Sequence, residues 1–159
     1  MRKFSLGYTL IELMVVISII GLLVGIGVAQ YNEFNKNQTL KQAALTLKNN
    51  LRQTQNKALS GEKPTSGCTA SLSGHKLTFT DNRNYKIVAS CGVDLDVLTG
   101  LTLGQNVSKS SGPNSILFKV LGQGAEAGTI CLLGFGKRYK ISVTVSGEIK
   151  DEGFVGTCP

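Results

Sequence analysis

Met1-Arg2-Lys3-Phe4-Ser5-Leu6-Gly7 leads directly into Tyr8-Thr9-Leu10-Ile11-Glu12-Leu13-Met14-Val15-Val16, and the apolar run that begins there continues to Ala29. Its 22 residues span about 33 Å as an α-helix, enough to cross a bilayer with modest tilt. Glu12 interrupts this run. A carboxylate at that depth in hydrocarbon costs roughly 2.5–3.5 kcal/mol on insertion scales, so it reads as a functional residue. A secretory signal peptide places its small-residue cleavage site after the apolar stretch. Here Gly7 comes before it, so a cut at Gly7 leaves the hydrophobic segment on the mature chain. An ordinary signal anchor, the competing reading, has no use for Glu12.

The helix does not stop with the apolar run, because no proline occurs between Met1 and Lys63. Leu40, Ala44, Leu47, Leu51 and Ala58 recur at helical spacing, which gives one apolar face to an amphipathic continuation over 30–61. Lys41, Lys48 and Arg52 form a separate stripe, and with Lys36 and Lys57 they lie in a stretch free of Asp and Glu. A solvated helix face is the expected role of such a stripe. Asn32, Asn35 and Asn37 are places where the helix could bend or fray, and Gly61 and Pro64 supply its stop signal. Gly21 and Gly25 form a small-xxx-small pair that lets helices approach closely.

After Pro64 the composition shifts to Thr, Ser, Gly and Val in short alternating runs. Leu77 and Phe79, then Ile116 and Phe118, then Ile141, Val143 and Val145 alternate with polar or exposed positions, the signature of half-buried strands. Ser73-Gly74-His75 and Gly134-Phe135-Gly136-Lys137 read as hairpin connections, with His75 an exposed turn residue. The segment from Gly104 to Asn114 reads as an exposed loop, and Asp94 and Asp96 as loop charges. The expected fold class is α+β: a long N-terminal helix, membrane-spanning then amphipathic, packed on an antiparallel sheet of about five to seven strands over 62–159.

Gly7-Tyr8-Thr9-Leu10-Ile11-Glu12-Leu13-Met14-Val15-Val16 resembles the type III signal of the type IV pilin superfamily. The resemblance implies that residues 1–7 are a leader removed by prepilin peptidase between Gly7 and Tyr8, and that the new amino group of Tyr8 is N-methylated. It implies that 8–29 form a transmembrane and later filament-core helix, in which Glu12 is the assembly glutamate. Physically, the lone carboxylate recovers part of its lost hydration by pairing with a cation. The free amine of Tyr8 on a neighbouring subunit, created by cleavage, is that cation. The family usually carries Phe where this chain has Tyr8. A further similarity, over Ile116-Leu117-Phe118, Thr129-Ile130-Cys131-Leu132, Tyr139-Lys140-Ile141-Ser142-Val143 and Gly147-Glu148-Ile149-Lys150, is to FimT/GspH-type minor pilins and pseudopilins.

Four cysteines, Cys68, Cys91, Cys131 and Cys158, lie beyond the apolar run. Positive-inside orientation keeps Arg2 and Lys3 in the cytoplasm and sends the domain to the oxidising side, which favours two disulfides. Three connectivities are open, and sequential pairing closes the shortest loops. A Cys131–Cys158 bond would fasten the tail, as pilin-like proteins often do. With no Cys-x-x-Cys pair and a single histidine, neither zinc nor any other metal or cofactor is expected. No nucleophile–base pair, P-loop or carboxylate cluster supports catalysis.

The expected function is therefore structural: a single-pass inner-membrane protein with an extracytoplasmic domain, which joins a pilus or a type II secretion pseudopilus. Its partners would be prepilin peptidase, other pilin or pseudopilin subunits, the inner-membrane assembly platform and, before assembly, membrane lipid. Without Arg2 and Lys3, 15 basic residues still face 10 acidic ones, so the mature chain stays basic. That balance leaves a DNA-binding competence-type pilin as an alternative, with Lys137, Arg138 and Lys140 as phosphate contacts. A major pilin is the other.

Overall fold

A computed structural model describes residues 7–158. Arg2, Lys3 and the rest of the expected leader before Gly7, and Pro159, lie outside the described residues. The chain divides between Lys36 and Asn37 into two compact units.

One helix, α1 (Leu10–Ser60), runs through both units. Asn32, Asn35 and Asn37 all lie inside it. In the first unit its large apolar side chains from Leu10 to Val24 are exposed. This part of α1 is long and apolar enough to cross a membrane. The helix ends where Gly61 and Pro64 predict. Gly61 takes a left-handed φ of 63°, its N–H donates to Ala58 O, and the Glu62 N–H donates to Lys57 O. This Schellman arrangement satisfies the last carbonyls and needs a residue without a Cβ at its turning point.

The second unit packs the later turns of α1 against eight strands. These are β1 (Gly74–Phe79), β2 (Asn84–Ser90), β3 (Asp94–Thr102), β4 (Val107–Ser111), β5 (Ser115–Lys119), β6 (Gly128–Gly134), β7 (Lys137–Val143) and β8 (Ile149–Val155). They form not one sheet but two four-stranded antiparallel sheets, ordered β3-β2-β1-β5 and β4-β6-β7-β8. Leu40, Ala44, Leu47, Leu51 and Ala58, the face read from spacing, are all buried, and Ala43 joins them. They share one core with Leu77, Tyr85, Ile116 and Phe118 of the first sheet and with Ile130, Leu132, Tyr139 and Ile141 of the second. Between the sheets, residues 124–126 act as a strap. Ala125 bridges Phe118 at the edge of β5, and its N–H donates to Val145 O.

The structure corrects four sequence readings. Gly74 and His75 are not a hairpin but the start of β1, between β2 and β5. Gly74 lets backbones meet, because Phe118 O occupies the place a Cβ would take, and His75 is buried rather than exposed. The segment from Gly104 to Asn114 contains β4. Its Lys109 is buried, and the ammonium donates to Gly112 O (3.4 Å), Pro113 O (3.2 Å) and Asn114 Oδ1 (2.7 Å) while lying over the Phe79 ring. Burial pushes the Lys109 pKa down. Asp94 and Asp96 are strand residues of β3, paired with Lys76 at 2.5 Å and Lys86 at 2.6 Å. Lys48 is no solvated stripe residue, since it is 3.3 Å from Asp151 of β8.

By contrast, the hairpin at Gly134-Phe135-Gly136-Lys137 is present as read. β6 and β7 pair from Gly134↔Lys137 onward, and Phe135 and Gly136 take φ of 53° and 76°. The cysteines are joined Cys68–Cys91 and Cys131–Cys158, with Cα atoms 5.6 and 6.3 Å apart. The first ties the stretch after α1 to the end of β2, and the second fastens the tail to β6. Loops of this length correspond to about 3.5 kcal/mol each in chain-entropy reckoning.

Candidate processing and assembly site

The residues singled out at the N-terminus lie at the start of α1. Gly7, Tyr8 and Thr9 are outside the helix, and Leu10 is its first residue. Thr9 acts as the N-cap: its carbonyl accepts from the Leu13 N–H at 3.2 Å, and its Oγ1 accepts from the Glu12 N–H at 3.3 Å. Glu12 is thus the third helical residue, in the threonine-x-x-glutamate spacing of a capping box. A carboxylate in the first turn also faces the positive end of the helix macrodipole. The role of Thr9 was legible in Thr9-Leu10-Ile11-Glu12, but the costly Glu12 dominates any reading of that stretch.

This geometry gives each residue a distinct chemical situation. The Gly7–Tyr8 peptide bond precedes the cap, in exposed, non-helical chain of the kind a protease can engage. Tyr8 is 83% exposed. Hydrolysis there would leave an amine one residue ahead of Thr9, at the same helix end as Glu12. Further along, Ser18 is satisfied by donating to Met14 O at 2.8 Å. Gly21 and Gly25 have open space where a Cβ would stand among the described residues.

The basic residues proposed for phosphate contact are not one cluster. Lys140 is 2.8 Å from Glu152, and a guanidinium N–H of Arg138 donates to Gly156 O at 3.2 Å. Lys137 and Arg138 line a hollow of about 380 Å³ with Asn37, Phe154 and Gly156. Lys48 belongs instead to a structural triad in which Asp151 also accepts from Tyr139 OH at 2.7 Å. Burial and the Asp151 hydrogen bond push the Tyr139 hydroxyl up to about 12. Burial raises the Asp151 carboxyl, but hydrogen bonds from Tyr139 and Lys48 outweigh it and hold the group below its ordinary range. Sequence reasoning missed Tyr139 and Asp151 because their meeting depends on the β7–β8 register.

Among the described residues, no group of three His, Cys, Asp or Glu side chains is placed to hold a metal ion. A family model of the prokaryotic N-terminal methylation motif matches residues 2–28. No curated protein and no solved structure matches the chain.

Proposed function

We propose that this type IV prepilin-like chain is a structural subunit, a minor pilin or pseudopilin, of a type IV pilus or type II secretion pseudopilus. The methylation motif implies processing by prepilin peptidase and assembly with other pilin subunits. The observation that carries the reading is the junction at the start of α1. An exposed Gly7–Tyr8 bond stands ahead of a capped, apolar helix whose first turn bears Glu12.

In this account the chain enters the inner membrane through α1 with its β-rich domain outside the cytoplasm. Cleavage after Gly7 frees the Tyr8 amine. Drawn from lipid into a bundle of like helices, Glu12 then meets the amine of a neighbour, and the pair recovers part of the cost that each charge carries in apolar surroundings. Gly21 and Gly25 let the helices close up. The chemistry of such a site is assembly, with no bond made or broken after processing.

Replacing Gly7 with a bulkier residue tests this directly. Whole-cell immunoblots and intact-mass measurement should show the variant retaining its seven leader residues, counted from Met1 to Gly7, and failing to enter sheared filaments. An unchanged mass together with normal incorporation would sink the proposal. Subunit counts in sheared filaments separate a minor from a major component.

A further inference from the structure

The stretch that follows α1 has no regular secondary structure, yet it is fastened at both ends. At its start the Glu62 N–H donates to Lys57 O, and the Glu62 carboxylate pairs with the Lys57 ammonium at 2.7 Å. At its end Cys68 is bonded to Cys91, just past β2. Gly67, at a φ of 81°, lies against the Leu95 side chain. A segment pinned in this way holds its side chains in place before any ligand arrives.

Between this stretch, β1 and β3 is a hollow of about 420 Å³, and every residue that lines it belongs to the second unit. Register sets His75, Ala89 and Leu95 side by side across β1, β2 and β3, so they share one face of the sheet. Leu95 and Val97 give the hollow its apolar part. His75 lines it too, almost wholly buried, and its Nδ1 has no partner among the described residues. A buried polar atom left unpaired is costly, and it marks a place where a group from outside the chain gains a hydrogen bond.

The charges around the hollow decide what that group is. Two acidic residues line it, but Glu62 is engaged by Lys57 and Asp96 by Lys86 at 2.6 Å. Lys63, Thr65 and Ser66 line it as well, and their side chains have no hydrogen bond or ion pair among the described residues. Burial pushes the His75 pKa down, so the imidazole is neutral and carries one N–H. An uncommitted ammonium, two uncommitted hydroxyls and an imidazole are all donors, set beside apolar side chains. They suit an oxyanion carried on an aliphatic body. A cation would meet Lys63 and find both carboxylates taken.

We propose that this hollow binds an aliphatic carboxylate, its oxygens on Lys63, the Thr65 and Ser66 hydroxyls and the His75 imidazole, its hydrocarbon on Leu95 and Val97. A free short-chain acid offers this chemistry, and so does the C-terminus of a peptide that ends in an aliphatic residue.

The chain has a single histidine, so the imidazole signals of a sample with isotope-labelled histidine report on the hollow alone. The full mature chain, solubilised in detergent at fixed pH and ionic strength, is titrated by nuclear magnetic resonance with sodium pentanoate or with an acetylated tripeptide ending in valine. Both should shift the His75 signals saturably, and the tighter of the two identifies the source. Pentanamide, which lacks the charge, and inorganic phosphate, which lacks the aliphatic body, should each bind about five-fold more weakly or worse. Lys63→Gln should weaken pentanoate about five-fold, the loss expected of one partly exposed ion pair. Lys119→Gln, which removes a cation outside the hollow, should leave the affinity unchanged. The absence of a saturable shift with either carboxylate overturns the proposal. So does pentanamide or phosphate binding as tightly as pentanoate, or a Lys63→Gln chain that keeps its full affinity.

Discussion

The two ends of α1 are equally helical and both rich in leucine, yet they meet opposite surroundings. Leu22 and Leu23 are 69% and 67% exposed, whereas Leu47 and Leu51 are fully buried. The sequence difference is angular. From Leu10 to Val24 apolar residues occupy all sides of the helix, but from Leu40 to Ala58 all of them except the exposed Leu45 keep to one face. A one-sided seam can be buried by the chain's own sheets, while an all-round apolar helix needs lipid or other helices. The second unit therefore buries its apolar seam within itself, whereas the apolar surface of the first calls for a solvent from outside the chain.

The largest effect is expected where that outside solvent changes from lipid to protein. Glu12→Val improves the apolar run and leaves Gly7 intact, so insertion and processing should persist. On the proposed assembly, filament incorporation should fall nearly to nothing, because the Tyr8 amine of the neighbour would lose its partner. Sheared-filament immunoblots of a correctly processed Glu12→Val chain provide the measurement. Normal incorporation would remove the charge-pairing account and leave α1 as a purely apolar adhesive.

Next come core deletions that sharpen the contrast between the two ends. Leu51→Ala should destabilise the domain by about 2–5 kcal/mol, the cost of a buried leucine and the cavity it leaves. Leu22→Ala should leave domain unfolding unmoved, since that side chain is largely exposed and is no member of the core. Urea unfolding of the detergent-solubilised chain, followed by near-ultraviolet circular dichroism, compares them. Equal losses for both variants would mean that Leu22 contributes to the stability of the domain as much as a core leucine does.

The same contrast explains what was readable in the sequence. The seam Leu40 to Ala58 and the hairpin at Phe135-Gly136 follow from local rules, helical period in one case and turn chemistry in the other. His75 did not, because its neighbour Gly74 looks like a turn signal, while here the glycine admits the Phe118 carbonyl from a strand more than forty residues away. β4 was hidden for a related reason. Val107-Ser108-Lys109-Ser110-Ser111 reads as polar loop, and its lysine is buried only because carbonyls of the following turn accept its ammonium. At the candidate site, Gly7, Tyr8 and Glu12 were legible as residue types at fixed spacing, whereas the Phe154–Arg138 neighbourhood required the register of β7 with β8.

A smaller effect is expected at the polar clasp between α1 and β8. Asp151→Asn removes the anion that Lys48 and Tyr139 share, at a cost of about 1 kcal/mol for a partly buried pair. Ultraviolet titration should show one tyrosine moving down from about 12 toward the ordinary range. A titration curve identical to the unsubstituted chain would show that burial alone, not Asp151, raises Tyr139.

The smallest effect is a pH dependence confined to His75. Its side chain is 1% exposed and its Nδ1 has no hydrogen-bond partner. Burial first, then Lys57, push its pKa below the ordinary 6.5, and Glu62 only partly opposes them. The unfolded chain therefore takes up a proton that the folded chain still refuses. Stability associated with neutral His75 is intact above about pH 6.5 and is lost as pH falls toward the depressed folded-state value, where the loss levels off. The slope cannot exceed that of one proton, about 1.4 kcal/mol per pH unit. His75→Gln keeps a polar side chain of similar length and removes the titration. Unfolding free energies at pH 7.5 and 5.5 should fall more for the unsubstituted chain than for His75→Gln. A carboxylate such as Asp151, whose pKa is lowered by groups other than His75, also costs stability on acidification, but it does so in both proteins and cancels in the comparison; Glu62, which is coupled to His75, belongs to the difference being measured. Parallel losses in the two would show that the imidazole accepts its proton without leaving the fold, the Lys57–Glu62 pair (2.7 Å) beside it having rearranged to receive the charge.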